Sequence, residues 1–266
     1  MGSIIKMDFY RFFRSVVLYV VIGVLIFTCA TSIWSFYLIT SPAMQELGAV
    51  LPEGFEELMP HSLDDYFNIL FQSNTVVMFT VIFTVVFCNA EFKNGYIKNI
   101  ASLVGNKGKL VFSKMLVILT AVIILHAALV LCIMVGCYGI MGLHEALNPS
   151  GIVTTVLLGL LMNMAIASLV YMLFMISRNA ILPMVAGLVY VLMGNTLFSL
   201  VNLIMEKVFR IAEFHIEKYT TLGNMMMYVN SAADTSTFVR AAVVSGVVLV
   251  ATGVASVVLM KKKDIR

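Results

Sequence analysis

The stretch of this sequence that most resembles a nucleotide-binding motif runs from Ser102 to Leu110, S-L-V-G-N-K-G-K-L. A phosphate-binding loop needs a glycine five positions before its second glycine and a Ser or Thr after its lysine, because backbone N–H groups cradle the phosphates and the hydroxyl binds Mg²⁺. Those two positions hold Leu103 and Leu110. We therefore expect nucleotide hydrolysis to occur on another chain, and this chain to bind no cofactor itself.

Enzymes that act inside a membrane need a nucleophile with a base, or convergent metal ligands. The four histidines are far apart, no H-E-x-x-H motif occurs, and no pair of acids lies deep in an apolar run. The cysteines form no Cys-x-x-Cys pair and are interpreted as buried thiols. They are Cys29, Cys88, Cys132 and Cys137. The sequence thus predicts no catalytic residue and no metal site.

Several polar side chains interrupt the apolar runs, where an ionised group costs roughly 2.5 kcal/mol or more. His126 is expected to be neutral. Two interpretations stay open for the set: contacts along a transport pathway, or hydrogen bonds between neighbouring helices. The pathway candidates are Asn68, Gln72, Thr75, His126, Asn163 and Asn195.

These polar residues lie in apolar runs long enough to cross a membrane. Hydrophobic residues make up 61% of the 266 residues and charged ones only 12%, too little polar surface for a water-soluble domain of this length. A helix needs about 20 apolar residues to cross the hydrocarbon layer, and helices satisfy their own backbone groups there. We predict an all-α, polytopic membrane protein with six transmembrane helices. The spans are about 16–40, 66–90, 115–142, 152–176, 181–203 and 238–260.

The charges indicate the orientation of a single transmembrane domain over 1–266. Residues 1–15 are predicted to form a helix at the cytoplasmic interface, 91–114 a cytoplasmic loop, and 41–65 and 204–237 extracellular segments. All but four of the 17 Lys and Arg residues then lie on the side of the two termini, as expected for the cytoplasm. The four are Lys207, Arg210, Lys218 and Arg240. The net charge of +3 reflects this topology, so no nucleic-acid partner is expected.

The predicted cytoplasmic loop reads E-F-K-N-G-Y-I-K-N-I-A-S-L-V-G-N-K-G-K-L-V-F-S-K, from Glu91 to Lys114. It resembles the first cytoplasmic loop of type-2 ATP-binding-cassette (ABC) exporter permeases, in which a Glu opens the loop, a Gly follows four residues later and a Lys closes it. Glu91, Gly95 and Lys114 match those positions. The ending V-L-M-K-K-K-D-I-R is similar to the usual ending of the family.

This resemblance implies that the loop docks a cytoplasmic cassette ATPase, which would carry the ATP and Mg²⁺. Because six spans make half of the family's usual twelve-span pathway, a second copy of the chain or a paired permease is implied as well. Membrane lipid is the remaining expected partner. The coupling candidates are Glu91, Phe92, Gly95, Tyr96, Ile97, Ile100 and Lys114.

The resulting hypothesis is the permease subunit of an ATP-driven exporter in a bacterial cell membrane, moving an amphipathic or hydrophobic substrate such as an antimicrobial peptide or a drug-like compound outward. The alternative is a non-transporting membrane anchor or sensor that recruits a cytoplasmic partner through the same loop. A third interpretation of the loop lysines alone is that they set orientation and contact lipid phosphates.

Overall fold

A computed structural model describes residues 2–41, 74–93, 107–141, 149–211, 214–230 and 235–262. Within these residues the helices are numbered in chain order. They are α1 Gly2–Phe13, α2 Val16–Thr40, α3 Thr75–Lys93, α4 Gly108–Gly136, α5 Pro149–Ser177, α6 Ile181–Leu192, α7 Gly194–Lys207, α8 Thr221–Asn230 and α9 Thr235–Lys262. A π-helical turn, Cys137–Met141, follows α4, and a 3-10 turn, Ile216–Tyr219, precedes α8. This part of the chain has no strand, and the all-α prediction is confirmed.

Five of these helices, α2, α3, α4, α5 and α9, are each long and apolar enough to cross a membrane. Helices α6 and α7 meet the same criterion only as a pair. If that pair is one span, the described residues give six, the number that the sequence predicts. The polytopic membrane class follows from these lengths, since a helix rises about 1.5 Å per residue across a layer of about 30 Å.

The fifth span differs from the continuous helix predicted over 181–203. The chain bends by 78° at Met193, between α6 and α7. Gly194 lies so close to α8 that a Cβ atom there would be 2.5 Å from Cδ2 of Leu222, and Tyr190 Oη accepts a hydrogen bond from the backbone N–H of Leu222 at 3.3 Å. The bend between α6 and α7 thus lies where both helices pack against α8, which comes later in the chain.

The segment between α3 and α4, predicted to be a cytoplasmic loop, is shorter than the predicted 91–114. Helix α3 continues to Lys93, and α4 begins at Gly108 instead of near Met115, so the predicted loop 91–114 loses residues from both ends. The predicted interfacial helix corresponds to α1. Residues 42–73, which hold most of the first predicted extracellular segment and the predicted start of the second span, lie outside the described residues.

The centre of the bundle is formed by α3 and α5, the two most buried spans, whereas α2 and α9 are the most exposed. Helix α9 packs most extensively on α5, where the hydroxyls of Ser168 and Thr252 share a hydrogen bond. Gly187 of α6 allows close approach to Val81 of α3 and Val170 of α5. Small residues at such contacts permit the tight helix packing that membrane proteins rely on.

Candidate functional site

The candidate site begins at α1, which carries a charged residue on its buried, otherwise apolar face. Asp8, Arg11 and Phe12 are three and four residues apart, so they share one face of the helix. Asp8 is 1% exposed and Phe12 is fully buried. An acidic side chain on the buried face of a helix needs a cationic partner nearby, because an unpaired buried charge is strongly unfavourable.

That partner comes from α4. Lys114 Nζ forms ion pairs with Asp8 and with Glu91, the latter near the end of α3. All three side chains are buried, Glu91 and Lys114 being 1% and 3% exposed. The same ammonium lies 5.6 Å from the ring centre of Phe87, a distance at which the ring face attracts a cation.

Two further side chains complete the site. Arg11 Nη1 donates to Glu91 Oε1 at 3.0 Å, and the hydroxyl of Ser113 donates to Asp8 Oδ2. Asp8, Arg11, Glu91, Ser113 and Lys114 are called the ionic cluster below. It connects α1 with the last turn of α3 and the first turns of α4, so one set of bonds joins the two helices that flank the predicted cytoplasmic loop.

The charges of the ionic cluster balance, with two carboxylates against one ammonium and one guanidinium. A balanced, hydrogen-bonded group tolerates a low-dielectric site, whereas removing one member leaves its partner buried and uncompensated, at a cost of about 3–5 kcal/mol. The cluster therefore fixes the relative positions of α1, α3 and α4.

A layer of aromatic rings supports the ionic cluster from the membrane side. The ring of Phe12 on α1 meets that of Phe83 on α3 edge to face, with centroids 5.7 Å apart. Phe83 and Phe87 stack at 5.4 Å. Val117 and Ala121 of α4 belong to the same buried group. Such ring pairs each add about 0.5–1.5 kcal/mol beyond area burial, so α1 is bound to α3 and α4 by both charge and packing.

The structure changes how the predicted coupling residues must be interpreted. Glu91 and Lys114 were expected to open and close a loop that contacts an ATPase, yet both lie on helices and are buried against each other. Phe92 packs edge to face on Phe174 of α5, with ring centroids 5.1 Å apart. The other four coupling candidates, Gly95, Tyr96, Ile97 and Ile100, lie outside the described residues.

The candidates for a substrate pathway are distributed over four helices. Thr75 on α3 is half-buried and Asn195 on α7 is exposed. His126 on α4 is 2% exposed, with Nδ1 2.9 Å from the carbonyl oxygen of Val122. Asn163 on α5 is fully buried, and neither its Nδ2 nor its Oδ1 has a hydrogen-bond partner among the described residues. The last two candidates, Asn68 and Gln72, lie outside the described residues.

Sequence reasoning missed three members of the ionic cluster: Asp8, Arg11 and Ser113. The signal for Asp8 was present, because it shares a helix face with Phe12 and is one of few acids on a side of the membrane rich in Lys and Arg. Its partners were not predictable by spacing, since Asp8 and Lys114 are 106 positions apart in the chain.

Comparison with known proteins agrees with this architecture. A sequence model of the family described as ABC-2 family transporter protein matches residues 4–194. The matched region contains the whole ionic cluster and ends at the break between α6 and α7. No curated protein matches the chain. Because the match covers well over half of the sequence, the chain belongs to the ABC-2 family of transporter proteins and is a membrane-spanning permease component of an ABC transporter.

Proposed function

We propose that this chain exports an amphipathic or hydrophobic substrate from a bacterial cell, driven by a separate cassette ATPase that docks on the segment between α3 and α4. Permeases of this family generally work with such an ATPase subunit. Antimicrobial peptides and drug-like compounds are the proposed substrate classes, since the scarcity of charge in the apolar spans argues against a small, highly charged ligand. ATP and Mg²⁺ bind to the partner chain in this proposal.

The observation that carries the proposal is the ion pair between Glu91 at the end of α3 and Lys114 near the start of α4. A force applied to the connecting segment reaches two helices whose ends are tied together, and it reaches α1 through Asp8. Packed side chains and ionic networks are the contacts that transmit such displacements. The ionic cluster is therefore suited to move α1, α3 and α4 as one body.

We assign two different roles to the predicted coupling residues. Gly95, Tyr96, Ile97 and Ile100 are the proposed docking residues, because they belong to the connecting segment itself. Glu91 and Lys114 are proposed as positioning residues that act through the cluster without touching the ATPase.

The proposed substrate pathway runs between α3 and α5 on the outer side of the bundle. Val81 and Val170 each pack against Gly187, and both helices run from the extracellular to the cytoplasmic side in the predicted topology. Asn74 and Asn163 each precede these valines by two helical turns, so helix geometry places them at similar depth. Asn74 Oδ1 and both polar atoms of Asn163 lack a partner among the described residues, as suits contacts with a polar group of a passing substrate.

One chain of this size provides half of the usual pathway, so we propose that two permeases act together, either two copies or a pair of different chains. The exposed apolar surfaces of α2 and α9 offer area for lipid and for such a partner. The alternative is a non-transporting anchor or sensor that recruits a cytoplasmic partner through the same segment, and it predicts no substrate movement.

The experiment is co-expression of the chain with a candidate cassette ATPase, followed by co-purification and measurement of ATP turnover in proteoliposomes. Ile100→Asp is expected to abolish co-purification. Glu91→Gln is expected to keep the ATPase bound while its turnover no longer responds to substrate. Lys109→Gln, which removes an exposed charge from α4, serves as the control and is expected to behave as the unaltered protein.

Three results would count against this account. Normal binding and turnover in both Ile100→Asp and Glu91→Gln would remove the docking and positioning roles. Binding of the ATPase without ATP-dependent movement of any tested peptide or dye would favour the anchor. Movement of substrate into the cytoplasm would reverse the proposed direction.

A further inference from the structure

A cavity of about 260 Å³ opens where α1 meets the first turn of α2 and the last turns of α3. Its polar side is lined by Tyr10 and Arg11 of α1 and by Arg14, which directly follows that helix. Its other side is lined by the apolar groups Val17, Val86 and Phe87. The cavity thus combines cationic and apolar walls.

The cationic wall carries an excess positive charge. Arg11 donates to Glu91 and belongs to the balanced ionic cluster. Arg14 forms no ion pair within the described part of the chain, and its guanidinium carbon lies 5.0 Å from the ring centre of Tyr10. A guanidinium stacked on an aromatic ring keeps its N–H groups in its own plane, pointing away from the ring. Those N–H groups can donate hydrogen bonds to a phosphate or carboxylate.

The position of the cavity relative to the membrane restricts the kind of anion that it can bind. Helix α1 ends at Phe13 and the first span begins at Val16, so the arginines lie at the boundary on the cytoplasmic side. Val17 and Val86 belong to membrane spans and therefore lie at the level of acyl chains. A headgroup phosphate at the arginines would place its chains against these apolar groups.

We propose that this cavity binds an anionic phospholipid of the cytoplasmic leaflet, with Arg14 and Arg11 facing the headgroup phosphate and Val17, Val86 and Phe87 contacting the first acyl segments. A soluble phosphate would leave the apolar wall unused, so the lipid is the occupant that matches both walls. Because Arg11 also belongs to the ionic cluster, the bound lipid would add to the forces that hold α1 against α3.

Native mass spectrometry of the purified full chain tests this proposal, with dioleoyl phosphatidylglycerol as the probe and dioleoyl phosphatidylcholine as the zwitterionic comparison. Arg14→Gln is expected to weaken phosphatidylglycerol binding about fivefold, in line with one lost cationic contact near the membrane surface. Lys6→Gln removes an exposed charge from α1 outside the cavity and is expected to leave binding unchanged.

A second variant fills the cavity without changing any charge. Ala90 lines it and is exposed, so Ala90→Phe is expected to fold normally and to weaken phosphatidylglycerol binding. Thermal unfolding midpoints of all variants establish that each is folded. Equal binding by Arg14→Gln, Ala90→Phe and the unaltered chain would overturn the site. Equal binding of phosphatidylcholine would overturn the role of charge, and equal binding of glycerophosphoglycerol, which lacks acyl chains, would overturn the lipid assignment.

Discussion

Glu91 near the end of α3 and Lys114 near the start of α4, on either side of the segment that joins these helices, form a buried ion pair. The same lysine binds Asp8 of α1. The two helices that flank the proposed ATPase-docking segment are therefore joined by an ion pair. Both α3 and α4 also contact α1.

Removing a single charge from the ionic cluster is expected to destabilise the protein strongly. Lys114→Met leaves Asp8 and Glu91 buried with less positive charge, which predicts a loss of about 3–5 kcal/mol in the free energy of unfolding. Chemical denaturation of the purified protein in detergent micelles measures this loss. Lys109→Gln on the same helix is expected to change the free energy by less than about 0.5 kcal/mol, and a similar small effect of Lys114→Met would show that the pairing is absent.

Removing a balanced pair is expected to be milder than the single changes suggest. The double variant Glu91→Gln with Lys114→Met keeps Asp8 and Arg11, one negative and one positive charge. We expect it to lose less stability than the sum of the two single variants, by about 0.5–3 kcal/mol of coupling. The same denaturation assay measures all four proteins, and strict additivity would contradict direct contact.

How much of this site was predictable depends on distance along the chain. A loop between two apolar spans follows from local patterns of charge and apolar length, and the resemblance of that loop to the family's first cytoplasmic loop is what singles out Glu91 and Lys114. Asp8 meets them only when α1 folds back on α3 and α4, which no local pattern encodes. The break at Met193 is similar, because its packing partner Leu222 belongs to a segment that follows later in the chain.

The predicted membrane orientation rests on a different kind of signal. Lys and Arg act independently of tertiary packing when they determine which side of the membrane a loop occupies, so this prediction needs only a count of charges. Burial of a particular charge is a tertiary property, and it changed the interpretation of Glu91 and Lys114 from surface contacts to positioning groups.

Asn163 provides a test of the substrate pathway that separates folding from transport. Because neither polar atom of its side chain has a partner among the described residues, Asn163→Leu is expected to keep or raise the unfolding midpoint. Substrate movement in proteoliposomes containing the ATPase is expected to fall about tenfold if one substrate hydrogen bond is lost.

The matched control for that variant is Met162→Leu, a volume-conserving change at a neighbouring buried position. It is expected to leave transport unchanged. If Asn163→Leu were also to transport at the normal rate, Asn163 would have no part in the pathway. If it were instead to unfold at a lower temperature, the asparagine would have a structural hydrogen bond.

The most direct test of the central claim, that an ATPase acts on a cytoplasmic segment between α3 and α4, is labelling of a Lys98→Cys variant with a membrane-impermeant maleimide. The unaltered chain, whose described cysteines lie in the apolar helices and the turn after α4, gives the background. We predict no added labelling in intact cells, strong labelling in inverted membrane vesicles, and protection there when the cassette ATPase is bound. Labelling of Lys98→Cys from outside intact cells, or no protection by the bound ATPase, would contradict the account.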